Sequence, residues 1–231
     1  MKAEHLAVVQ GWDETRATLA RWNANPWRTL RAWAAGSLAV TGLLLTLTWI
    51  VAETTIADPQ LHSYPGVTRD ATLHDFGFLL YRNGLVLALH ALACVAGFIA
   101  GSQLPTAAQD YRGLVRKLHE AAGPAAIAFV AAATLFSLGT QAYALGNNAA
   151  TMALQLGISP FVLLVALLPH ALPELFALFL PLAAWSIASR RRAFNELLAA
   201  TFVTTAIAIP LLLLAAGIET WVTPSTLSAI S

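Results

Sequence analysis

The chain has 231 residues, of which 58% are hydrophobic and only 11% charged, with a formal net charge of +1. That balance excludes an ordinary soluble domain and matches a polytopic membrane protein, while the near-zero charge gives no sign of a nucleic-acid partner. The single cysteine, Cys94, excludes an internal disulfide framework and a cysteine-rich metal site.

In chain order, residues 4–22 carry Leu6, Val9, Trp12, Leu19 and Trp22 at roughly helical spacing, with acids and arginines between. An amphipathic helix lying on the cytoplasmic membrane surface is expected, within a cytoplasmic segment over residues 1–31. A membrane crossing needs about 20 mostly apolar residues. The first is expected over 32–52. What precedes it is too long for the n-region of a secretory signal and no convincing small-residue cleavage site follows, so it reads as an anchor that stays. An acidic outer loop follows, with His62 and His74 as solvated residues. The second span is expected over 76–103, then a short interfacial helix within "PTAAQDYRGLVRKLHEAAG", then a third span over 122–144. "GNNAATMALQLGIS" is expected to be a capped helical stub at the outer face. Spans over 159–189 and 198–222 complete an all-α bundle of about five transmembrane helices, one domain over residues 32–231.

Orientation follows from basic residues, which are retained on the cytoplasmic side. Lys2, Arg16, Arg21, Arg28 and Arg31 precede span one; Arg112, Arg116 and Lys117 lie between spans two and three; Arg190, Arg191 and Arg192 follow span four. The outer loop has only Arg69. The N-terminus is therefore expected in the cytoplasm and the C-terminus outside, in the inner (cytoplasmic) membrane of a bacterium. Trp33, Trp49, Trp185 and Trp221 fall near span ends, where their rings are expected at the headgroups.

Ionisable groups at membrane depth cost a few kcal/mol or more, so each needs a reason. The candidates are Arg82, Asn83, His90, His170, Glu174 and Glu219. In span two, Asn83, Leu87, His90, Cys94, Gly97 and Gly101 share one face, whose Gly97 and Gly101 would let another helix backbone come close. In "LLPHALPELFALFLPL", His170 and Glu174 stand one above the other, and Pro169, Pro173 and Pro181 lack an N–H, depriving the carbonyls of Val165, Pro169 and Ala177 of their helical donors. A kinked, Pro-broken fourth helix is expected, facing the bundle interior where protein can satisfy the freed groups. Ser159 and Pro160 suit its N-cap and first position. From 159 to 189 a straight helix would measure ~46 Å against a ~30 Å hydrocarbon core, so some turns should lie tilted at the outer interface. Depth suggests pairing Arg82 with Glu219 and His90 with Glu174.

The stretch "LLPHALPELFALFLPLAAW", followed by "LLLLAAGIETWVTP", resembles the stage II sporulation protein M family. The matching residues are Pro169, His170 and Glu174 in the first motif and Glu219, Thr223 and Pro224 in the second, with "FGFLLYRNGLVLALHALACVAGFIAGS" similar to an earlier family segment. The resemblance covers residues 76–225. Ala171 stands where the family usually has glycine, and Arg82 where the first of two asparagines is expected. In spore formers the resemblance implies work with peptidoglycan-degrading partners, but a sporulation role does not follow for this chain.

Three functions compete. The first is a non-enzymatic scaffold that recruits other membrane or envelope proteins, with the buried polar residues as internal glue; a homo-oligomer stays open. The second is a transporter or channel for a small solute, ion or proton lined by the same residues. The third is an intramembrane metal-dependent hydrolase with His170 and Glu174 as candidate zinc ligands. The chain lacks a His-Glu-x-x-His motif, and no catalytic residue, cofactor or metal site is assigned.

Overall fold

The computed structural model describes residues 7–103 and 112–231, which form helices and loops with no β-strand among the described residues. The helices are α1 (Ala7–Ala24), α2 (Pro26–Thr54), α3 (Leu73–Phe98), α4 (Gly113–Leu156), α5 (Pro160–Arg191), α6 (Leu197–Gly217) and α7 (Thr223–Ser228). A π-helical stretch, Ile99–Gln103, extends α3; a 3₁₀ turn, Phe194–Glu196, precedes α6; and a second π-helical stretch, Ile218–Val222, joins α6 to α7. Five of the resulting helical segments are long and apolar enough to cross a membrane. The expected all-α bundle is therefore present, its outward surface studded with Leu, Ile and Phe as a lipid-facing surface would be.

Helix α5 is the centre. It packs against α2, α3 and α6, while α2 also packs on α4 and α3 on α6. The inward face of α2 consists of Trp33, Ser37, Thr41, Leu44, Thr48 and Ala52, spaced three or four residues apart. Leu44, Phe179 and Leu197 are buried in the main core with Cys94.

Several boundaries differ from expectation. The short interfacial helix, the third span and the outer stub are one helix, α4, of 44 residues; the part of the interfacial stretch over 104–111 lies outside the described residues. Gly146 does not end this helix, because there α2 comes closest: an added Cβ would lie 2.9 Å from the Thr48 carbonyl oxygen, and beyond it Ala149, Ala150 and Ala153 pack into a second core. Termination comes at Gly157, left-handed at φ 69°. Ser159 then caps α5 by accepting from the Val162 N–H at 3.2 Å, with Pro160 in the first turn, as expected. Helix α5 follows an uninterrupted helical path for 32 residues, so its three interior prolines break the hydrogen-bond ladder but not the helix.

In α1 the buried face is Gly11, Thr15 and Thr18, docked on Phe98 and Leu198, while Trp12 is 58% exposed with the Arg16 guanidinium over its ring. Leu6 lies outside the described residues. Small residues win the buried face because α1 lies close against the bundle. Among the tryptophans, Trp49 and Trp221 are exposed, but Trp33 and Trp185 are core residues, Trp33 edge-to-face with Trp22 at 5.1 Å.

The loop between α2 and α3 is tied to the bundle. Gln155 of α4 exchanges two hydrogen bonds with the His62 backbone, and the Asp58 N–H donates to Thr151. Thr72 and Asp75 form a capping box for α3, and Asp75 holds Arg69 in a bidentate pair that raises the Arg69 pKa through hydrogen bonding. Gly66, at φ 77°, lies against Pro224, where no side chain would fit. His62 and His74 are exposed, as expected.

Candidate functional site: a polar cluster between α3, α5 and α6

Proline substitution in a helix leaves carbonyls without donors, and in lipid these must be satisfied by neighbouring protein. Before and at Pro181 of α5, carbonyls on either side of the deprived Ala177 accept from two neighbouring helices. Ser37 Oγ of α2 donates to the Phe176 carbonyl at 2.7 Å. From α3, His90 Nδ1 bonds the Leu178 carbonyl at 2.8 Å and Cys94 Sγ donates to the Pro181 carbonyl at 3.3 Å. A carbonyl can only accept, so His90 carries a proton on Nδ1. The His90 ring also lies 5.8 Å from that of Phe179. These contacts bracket Ala177, the carbonyl that Pro181 deprives, and fix α2 and α3 to one turn of α5.

One turn and more toward the loop end lies a second polar group. His170, 7% exposed, bonds Thr223 Oγ1 through Nδ1 at 2.8 Å. Thr223 opens α7, immediately after the π-helical stretch that carries Glu219. Inserting a π turn rotates the residues beyond it relative to those before, and such turns recur at functional sites. Glu219 lies within electrostatic reach of Glu174, and Arg82 within reach of both. Asn83 faces the Glu174 carboxyl; its Nδ2 is shut off from solvent yet forms no well-aligned hydrogen bond. Counting from the loop-side ends of their helices, Asn83 and His170 both lie ~15 Å along.

The six candidate residues divide accordingly. Asn83, Glu174 and Glu219 come together, with Arg82 within electrostatic reach and His170 beside them through the neighbouring turn. His90 does not join: α3 runs parallel to α5, so Asn83 stands beside Glu174 and His90 a turn or more further on, beside Leu178. Arg82 follows Asn83's neighbour position around α3 and points out of the bundle, over the Phe78 ring at 6.0 Å. Among the described residues it forms no ion pair with Glu219. Nor do three or more His, Cys, Asp or Glu side chains converge as a metal-ligand set among the described residues.

Gly97 and Gly101 are contact points, though not for a helix backbone. A Cβ on Gly97 would lie 2.8 Å from Trp185 Nε1 and from Leu197 Cδ1, and one on Gly101 would overlap the Phe194 ring. Ser37 was not singled out in the sequence. Its signal is the four- and seven-residue spacing of Ser37, Thr41 and Thr48 within an apolar span, which marks an inward stripe.

Across known protein families, the model for stage II sporulation protein M matches residues 125–224. Pro169, His170, Glu174, Glu219, Thr223 and Pro224 fall inside the matched segment, whereas α3, with Arg82, Asn83 and His90, falls outside it. No curated protein and no solved structure matches the chain.

Proposed function

We propose that this divergent relative of the stage II sporulation protein M family is a non-enzymatic membrane scaffold, a rigid helical body on which other membrane or envelope proteins assemble. The supporting observation is that polar groups from α2, α3 and α7 are spent on the bundle itself: Ser37, His90 and Cys94 on α5 carbonyls, His170 on Thr223. Side chains consumed in this way fix helix register, each contributing about 0.5–2 kcal/mol. Helix α4 supplies a surface for partners, because the part of it able to span the membrane is only 6% buried and turns Phe129, Phe136 and Tyr143 outward. The arginine-rich end faces the cytoplasm on this reading, which places the N-terminus inside and the C-terminus outside.

Crosslinking in native membranes, followed by identification of the adducts, tests the scaffold. A reproducible protein partner, reduced when Phe136→Ala and Tyr143→Ala are combined, is the expected result. Recovery of the chain alone across crosslinkers of different reach contradicts it.

One observation favours transport as a second reading. Glu174 and Glu219 lie near each other and near Arg82, and neither carboxyl forms an ion pair among the described residues, Asn83 being the polar neighbour of Glu174. Carboxyls at membrane depth without an ion-pair partner can carry a proton or a cation. The hydrolase reading receives no comparable support from the geometry.

A further inference from the structure

At the opposite, arginine-rich end of the bundle two cavities share a wall. An apolar one of about 460 Å³ opens between α1, α2 and α6, against Leu19, Leu30 and Val203. A smaller one of about 200 Å³ is lined by Arg28, Arg191 and Glu196. Trp22, Thr29 and Trp33 line both. The larger cavity is of the size that holds small ligands, ~300–1,000 Å³.

The charges are not balanced. Glu196 accepts from Arg21 at 3.2 Å, so the carboxylate in the smaller cavity already has its cation. Arg28, from the first turn of α2, and Arg191, from the last turn of α5, form no ion pair among the described residues. Two unpaired guanidiniums therefore face one polar chamber next to a greasy one. Guanidinium matches phosphate in geometry and charge. Both arginines sit at the ends of membrane-crossing helices, where lipid headgroups lie, and exposed Trp27 stands beside them at the level aromatic side chains take in a bilayer.

We propose that this double cavity is a binding site for one anionic phospholipid, its phosphate held by Arg28 and Arg191 and part of an acyl chain lodged against Leu19, Leu30 and Val203. The site joins α1 to α2, α5 and α6, so an occupied site ties the N-terminal helix to the bundle. Basic pockets between membrane helices are suited to such headgroups. Neither the scaffold nor the transport reading is needed for it.

Native mass spectrometry of the full chain in detergent, titrated with phosphatidylglycerol or phosphatidylcholine of identical acyl chains, tests the site. One phosphatidylglycerol should be retained at a concentration about tenfold below that needed for phosphatidylcholine, and Arg28→Gln with Arg191→Gln should abolish the difference. Both arginines are exposed, so the fold should survive; an unchanged melting temperature checks this. The pair Arg190→Gln and Arg192→Gln should keep the preference. Equal retention of the two lipids, a preference that survives loss of Arg28 and Arg191, or an equal loss on removing Arg190 and Arg192 would each overturn the proposal. Displacement by inorganic phosphate at the same concentration as the lipid would also overturn it, since the acyl chain would then contribute nothing.

Discussion

His170 and Thr223 are 53 positions apart in sequence and 2.8 Å apart in the bundle, and their bond joins α5 to the segment carrying Glu219. Removing one partner leaves the other buried and unpaired, whereas removing both removes the interaction cleanly. A double-mutant cycle with His170→Phe and Thr223→Val should therefore give a coupling of about 0.5–2 kcal/mol in detergent unfolding. Additive losses would mean that the bond does not stabilise the native state. That His170 and Glu174 turn toward neighbouring protein was legible because an ionisable pair in an apolar run has few physical reasons to exist. Their partners were not. His90 is engaged by the Leu178 carbonyl rather than by Glu174, a matter of the register between α3 and α5 that one sequence does not contain. Ser37 was hidden because a serine in an apolar helix can bond its own preceding turn as easily as a neighbour.

Among the helices, α3 shows how a small residue acts at a distance from any charge. Gly101 leaves room for the Phe194 ring, which lies just before α6, and Gly97 leaves room for Trp185. Gly101→Ala must displace that ring, and overpacking of this kind should destabilise the protein by about 1–3 kcal/mol. Thermal unfolding of the purified chain measures it, and a wild-type melting temperature would show that Phe194 has space to move. The spans were legible from hydropathy, since length and apolar content set what can cross a bilayer. The extent of α4 was not, because Gly146, Asn147 and Asn148 look like a helix end. Contact with α2 keeps them helical. Likewise the buried face of α1 is chosen by close packing of Gly11, Thr15 and Thr18, which hydrophobic periodicity does not register.

As a whole, the bundle has two chemically different ends. One carries the arginines and the double cavity; the other carries the strapped loop and the cluster of Glu174, Glu219, Asn83 and Arg82. That the membrane contains this chain, and which end holds the basic residues, could be read from composition and charge placement alone. Whether the cluster binds internally or conducts could not, because both uses need the same residue types at the same depth. Proton flux into vesicles reconstituted with the wild-type chain and with Glu174→Gln separates them, with melting temperatures taken on the same preparations. The scaffold account predicts flux no greater than in empty vesicles for both proteins and a lower melting temperature for Glu174→Gln. Wild-type flux well above empty vesicles, lost in Glu174→Gln while the melting temperature stays unchanged, would contradict it.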